Sequence, residues 1–195
     1  IVESGRKDIQ VVSVNDLGPV ETNAHLLRYD TIHGVFCVPT HLQGKFWLRI
    51  GSDAIPLMNY ADPLDCPWES LGVDVVLECT GQFRSHDDAT RHLTAGAKRV
   101  ILGAVPFDDA DAIAIYGVNQ DLAQDARIIS AASCTTHCLA MLLSVMDAAF
   151  GVQSAMMTEI QTANRVIWQT GRMENGVTRP TGMLPSPERT WAHKR

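Results

Sequence analysis

Nowhere in the 195 residues does an apolar run approach the roughly 18 residues that a membrane span requires. The chain opens on no charged-then-apolar signal segment. Basic residues are the minority, 16 Lys+Arg against 22 Asp+Glu, and a net charge of −6 argues against a nucleic-acid-binding protein. Internal repeats and low-complexity segments are missing. Cysteines are few and odd in number (37, 66, 79, 134 and 138), which fits a reducing, cytoplasmic compartment and not a disulfide scaffold. Cys134 and Cys138 stand four apart, yet no Cys/His pair follows at zinc-finger spacing, so no metal site is expected.

What the chain does have is apolar substance, 46% of its residues, enough to bury a core. The charge is uneven. From Arg165 onward six bases face two acids, and before it ten bases face twenty acids. Such a block reads first as a solvated basic tail and second as an anion site.

Ile1–Gly5 reads as a helix end with a glycine stop. Ile9–Val14 is β-rich and ends in Asn15-Asp16, so it predicts a buried strand with an acid at its C-terminal tip. A short helix is expected over residues 23–27 and a hairpin over 46–57. Asp74-Val-Val-Leu-Glu78 predicts a strand. A helix follows from about Ser85, with Asp88 in a capping arrangement, and Arg99–Gly103 is the next strand. Strand, helix and strand in about thirty residues make a βαβ unit. More strands are expected at Ala112–Tyr116, Arg127–Ser130 and Gln153–Ile160. Between the last two, a deeply packed helix spans 135–149 and stops at Gly151. The alternation predicts an α/β fold with a doubly wound, Rossmann-like parallel sheet.

In that fold an acid at a strand tip holds the ribose hydroxyls of NAD, and a glycine-rich turn about twenty residues earlier cradles the pyrophosphate. Asp16 stands where such an acid belongs, although by itself it reads as a turn aspartate. Only fifteen residues precede it, and no G-x-G-x-x-G occurs. The first strand and its phosphate loop are therefore expected to be missing from this sequence.

Ser133-Cys134-Thr135-Thr136-His137-Cys138 lies at a strand-to-helix junction. A helix start offers free N–H donors and positive partial charge, which favour a thiolate, and a thiolate can attack a carbonyl. The plain alternative is a buried, inert cysteine. The polar neighbours favour chemistry for Cys134. Cys138 reads as core, and Cys37, Cys66 and Cys79 as packing.

Ala132-Ser-Cys-Thr-Thr-His-Cys-Leu-Ala140 resembles A-S-C-T-T-N-C-L-A, the active-site signature of the glyceraldehyde-3-phosphate dehydrogenase family. Asn15-Asp16-Leu17, Ala24–Asp30, His33-Gly34, Pro67-Trp68, Asp74–Gly81, Ala95–Lys98 and Tyr116–Asn119 follow the family order, so the resemblance covers about residues 1–161. It implies NAD-dependent, phosphorylating oxidation of glyceraldehyde-3-phosphate, a glycolytic reaction. The substrates would be a phosphorylated aldehyde and inorganic phosphate, and the assembly a tetramer. It implies an NAD-binding domain over 1–132 and a short remnant of the α+β catalytic domain over 133–195. Cys134 takes the place of the nucleophile, Ser133 and Thr135 lie near a phosphate subsite, Asn15 and Asp16 face the ribose, and Thr80, Gly81 and Phe83 line the cofactor cleft. Erythrose-4-phosphate dehydrogenase shares the cysteine motif and is an alternative.

The chain departs from the family pattern at several places. Met157-Thr-Glu-Ile-Gln161 puts Gln161 where the family has its histidine base, and no histidine occurs between His137 and His193. His137 replaces an asparagine and, three residues after Cys134, is a candidate substitute base. Gly103 replaces a common serine. These departures support a second alternative, an impaired or inactive paralogue.

Overall fold

The computed structural model describes residues 1–30, 33–158, 172–174 and 177–179. They fall into two units. The first, Ile1–Asn59, runs β1 (Val14–Asn15), α1 (Val20–Arg28), β2 (Tyr29–Asp30), β3 (Gly34–Val35), β4 (Thr40–Gln43), β5 (Trp47–Ile50) and β6 (Asp53–Met58). β4, β5 and β6 form an antiparallel meander, and β1 joins β6 in parallel. Side chains alternate across a strand, which turns Leu48, Ile50, Ile55 and Leu57 inward together. Val20, Ala24 and Leu27 of α1, four and three residues apart, pack on that cluster. The expected hairpin and helix are thus present. Ile1–Gly5 is a turn closed by the Gly5 N–H on the Val2 carbonyl, not a helix end.

The strand expected over 9–14 is short, and Pro56 explains why. The register that sets Val14 opposite Leu57 sets Ser13 opposite Pro56. Proline has no N–H to give to the ladder. The Ser13 hydroxyl donates to the Pro56 carbonyl instead, at 3.0 Å.

The second unit begins at Tyr60 and contains β7 (Val75–Glu78), α2 (His86–Thr94), β8 (Arg99–Leu102), β9 (Ala112–Ile113), β10 (Ile128–Ser130) and α3 (Cys134–Phe150). Its sheet has the order β7-β8-β10-β9 and is parallel throughout, as the βαβ reading requires. Ala89 of α2 packs with Val100, Leu102 and Ile128 of the sheet, all almost fully buried. The cap of α2 is the expected one: the Ser85 hydroxyl accepts the Asp88 N–H at 3.1 Å and donates to the Asp88 carboxylate at 2.6 Å. Outside this unit, β11 (Arg172–Glu174) and β12 (Val177–Arg179) pair antiparallel. No helix among the described residues is long and apolar enough to cross a membrane.

Gly96, after α2, has φ +107°, and a Cβ there would lie 2.4 Å from Glu69 Cβ and 2.6 Å from the Glu69 backbone nitrogen. Both the dihedral and the space exclude a side chain. Gly96→Ala is expected to destabilise the unit by about 2 kcal/mol or more, measured by urea unfolding.

Several expectations fail in this unit. β9 is two residues long, not five. Val75 and Leu77 of β7 are exposed while Val76 and Glu78 are buried, so the strand alternates. α3 begins and ends as expected, with Gly151 (φ +71°) after it, but none of its residues is buried. Leu142, Val145 and Phe150 stay exposed. Cys138 is exposed with them and is not core. Cys37 and Cys79 are exposed in loops beyond strand ends; only Cys66 is buried, and burial pushes its thiol up to about 11. Residues 153–158 form no strand, because no described segment pairs with them. Ile160 and Gln161 lie outside the described residues.

Candidate functional site

The four parallel strands of the second unit deliver the loops after them to one edge of the sheet, the edge where α/β folds bind ligands. The β10 loop is held from beneath. Ser130, fully buried, donates its hydroxyl to the Ala104 carbonyl at 2.8 Å and accepts the Ala132 N–H at 2.9 Å. Ala132 follows with φ +57°, a left-handed conformation uncommon outside glycine. Such local strain concentrates at functional sites.

The next residue, Ser133, caps α3: its hydroxyl accepts the Thr136 N–H at 3.1 Å and lies 2.8 Å from the Thr136 hydroxyl. The sequence pattern Ser-x-x-Thr before an apolar run signals this cap. Cys134 is therefore the first helical residue. It is exposed, with its sulfur 4.0 Å from Thr135 Oγ1. The helix start presents N–H groups and the positive end of the dipole to a negative charge there.

His137 points its Nδ1 at the Ser133 carbonyl, 3.1 Å away, and its backbone N–H at the same oxygen, 3.0 Å away. A carbonyl only accepts, so Nδ1 carries the proton and is committed to the cap. Only Nε2 is left to act as a base toward Cys134.

The β7 loop is built on Glu78, a residue that the sequence reading passed over. Its Oε1 accepts the Thr80 N–H at 2.7 Å and also the Thr80 hydroxyl. Thr80 Oγ1 in turn accepts the Gln82 N–H at 3.1 Å. Between them Gly81 turns with φ +72°. Phe83, half-buried, meets the His92 ring edge-on with centroids 6.3 Å apart. The signal for Glu78 was its register: it shares the inward face of β7 with Val76, and a carboxylate there demands partners.

Burial pushes the Glu78 carboxyl up, but hydrogen bonds from His92 and Thr80 outweigh it and hold the group below its ordinary value. An unfolded glutamate titrates near about 4.3. These bonds therefore stabilise the unit above that pH, and the gain is lost as pH falls through the lower folded value. Urea unfolding of the parent should show stability dropping between roughly pH 5 and 3, and Glu78→Gln should be less stable at pH 7 with a shallower acid decline.

In the first unit Asn15 ends β1 and Asp16 follows it, Asn15 half-buried and Asp16 exposed. Asp16 Oδ1 accepts the Gly18 N–H at 2.6 Å, and the Asn59 amide donates to the Asp16 carbonyl at 3.0 Å. A Cβ on Gly18 would sit 2.9 Å from Asp16 Oδ1, so the carboxylate rests against bare glycine backbone. A carboxylate accepts about four hydrogen bonds. One spent on Gly18 orients the group and leaves capacity for a vicinal diol, which fits the ribose of NAD.

Ser133, Cys134 and Thr135 thus share one helix start, and Thr80, Gly81 and Phe83 one strand tip. Asn15 and Asp16 are in the other unit. Gln161 lies outside the described residues.

The second unit is a parallel α/β sheet with a glycine turn at one strand tip and an exposed cysteine at a helix start, the architecture of dinucleotide-type α/β proteins; in the first unit an acid follows β1. The chain belongs to the glyceraldehyde-3-phosphate dehydrogenase family. Residues 2–86 match the profile described as glyceraldehyde 3-phosphate dehydrogenase, NAD binding domain, and residues 133–178 match that of the C-terminal domain. NAD is the cofactor that goes with the first of these domains. Among its relatives is a glyceraldehyde-3-phosphate dehydrogenase of Xanthobacter flavus, 48% identical over 161 residues that make up 82% of this chain and 48% of the relative. Others come from Cereibacter sphaeroides (46% over 163 residues, 83% of this chain and 48% of the relative) and Pseudomonas aeruginosa (44% over 156 residues, 80% and 46%). The chain spans about half the length of the curated relatives it matches.

Proposed function

We propose that the chain serves NAD-dependent, phosphorylating oxidation of glyceraldehyde-3-phosphate with Cys134 as nucleophile. The observation that carries this reading is the exposed Cys134 at the start of a capped helix, at the C-terminal tip of a parallel strand. The Cys134 thiolate adds to the aldehyde carbon, and the aldehyde oxygen takes up the proton that the thiol gave up and becomes a hydroxyl. NAD, when bound, supplies the acceptor for the hydride that this carbon gives up. The hydroxyl proton leaves to water or a base, and the carbon stays on Cys134 as a thioester. A phosphate oxygen then forms the new C–O bond and the thiolate departs, which regenerates Cys134.

Asn15 and Asp16 are the residues for the adenosine ribose, and Thr80, Gly81 and Phe83 are those for the cofactor on the second unit. Ser133 and Thr135 are assigned to the phosphate subsite. The start of the C-terminal profile at Ser133 supports a domain boundary between 132 and 133. The family also suggests a cytoplasmic tetramer.

Gln161 favours a second reading, a chain of low activity. An amide takes no proton at neutral pH, and a general base is usually worth about 10²–10⁴ in rate. Absorbance at 340 nm with glyceraldehyde-3-phosphate, NAD and phosphate separates the two. Turnover above a Cys134→Ser control supports the dehydrogenase, and none leaves the inactive paralogue. Equal or faster turnover with erythrose-4-phosphate would move the substrate assignment to the tetrose.

A further inference from the structure

Behind the Thr80–Gln82 loop lies a buried chain of three polar side chains. Trp68 is 6% exposed, and the side chains of His92 and Glu78 are 6% and 5% exposed. Trp68 Nε1 lies 3.1 Å from His92 Nδ1, and His92 Nε2 lies 3.2 Å from Glu78 Oε2. Indole N–H only donates. His92 Nδ1 must accept it and so carries no proton, which places the ring proton on Nε2, where it is donated to Glu78. The bonds run one way, from Trp68 through His92 to Glu78. The other carboxylate oxygen of Glu78 holds the N–H and hydroxyl of Thr80.

We propose that Trp68, His92 and Glu78 are positioning residues that lock the Thr80–Gln82 loop in the shape that receives NAD. The proposal rests on the NAD-dependent reading above. The chain of control is short. His92 fixes one oxygen of Glu78, so the other is aimed at Thr80. Thr80 Oγ1 then holds the Gln82 N–H and with it the left-handed turn at Gly81. None of the three needs to touch the cofactor. A buried polar network satisfied at every member can specify one loop conformation, whereas an apolar core would leave the loop free.

The one-way order of the bonds makes a discriminating test. In Glu78→Gln the amide can keep its oxygen on Thr80 only by turning its NH₂ toward His92 Nε2. The ring proton must then move to Nδ1, where it faces the Trp68 N–H, donor against donor. His92→Gln preserves the order, since one amide can accept from Trp68 and donate to Glu78. The measurements are hydrogen exchange at the Thr80 and Gln82 amides, NAD titration by protein fluorescence, and the iodoacetamide alkylation rate of Cys134.

Glu78→Gln should speed exchange at the two amides and weaken NAD binding, each by about tenfold. His92→Gln should stay within about twofold of the parent on both. Cys134 alkylation should be unchanged in both variants. Exchange at Thr80 and Gln82 that is unaltered in Glu78→Gln overturns the proposal, and so does a rise at these two amides no larger than the one that lower stability brings throughout α2 and β8. Where these results come with normal NAD binding, the dehydrogenase reading stands without the relay. A parent that never saturates with NAD, although its amides respond as described, overturns the cofactor reading and the loop's role in it.

Discussion

Cys134→Ser should reduce NADH formation by about 10⁴-fold or more, to the level of the protein-free control. The hydroxyl of serine differs from the thiol by one atom, so the fold of α3 and its Ser133 cap are retained. What disappears is the nucleophile. A serine at this helix start is poorly activated: His137 Nδ1 is spent on the Ser133 carbonyl, which leaves that ring only Nε2, and no histidine follows before His193. The measurement is the 340 nm rate at saturating aldehyde and NAD, beside circular dichroism to confirm that the variant is folded. A Cys134→Ser rate within tenfold of the parent would remove the nucleophile assignment. Cys138→Ser, one helical turn farther on, should cost little in the same assay.

The second large effect runs in the other direction. Gln161→His should raise the rate, by up to about 10²–10⁴-fold where base catalysis is limiting. An imidazole can take the hydroxyl proton as the hydride leaves and can pair with the thiolate beforehand; an amide can do neither. The pH–rate profile identifies the cause. The variant should gain a limb near pH 6.5, the ordinary range of histidine, that the parent lacks. An unchanged rate and an unchanged profile would mean that residue 161 does not stand at the base position.

Much of the second unit could be read from residue order. Asp74–Glu78, the Ser85 cap, Gly96 and Arg99–Gly103 predict a strand, a helix, a stop and a strand, and β7, α2 and β8 are found there with a parallel register. Local rules decide such elements, and local rules are written in the sequence. Three features escaped because they depend on partners far along the chain. β1 is cut short by Pro56, 43 residues past Ser13. α3 has the apolar content of a core helix, yet none of its residues is buried, and periodicity alone does not reveal that. Glu78 is invisible as a loop anchor until His92 and Thr80 are brought to its two oxygens.

The site itself divides in the same way. Cys134 at a helix start was legible because strand, cap and helix follow one another without a gap. The capture of His137 by the Ser133 carbonyl was not, since it depends on side-chain direction. Ala132 gives no sequence sign of its left-handed backbone, which arises from the clasp that Ser130 makes with Ala104 and Ala132.

The most direct test of the account is to look for the covalent intermediate. The chain is incubated with glyceraldehyde-3-phosphate and NAD in phosphate-free buffer, quenched in acid, digested and mapped by mass spectrometry. The account predicts a phosphoglyceroyl thioester on the peptide that carries Cys134, assigned by fragmentation to Cys134 and not to Cys138, and its disappearance when phosphate is added. A chain that oxidises the aldehyde with no adduct on Cys134, or with the adduct on another cysteine, would contradict it.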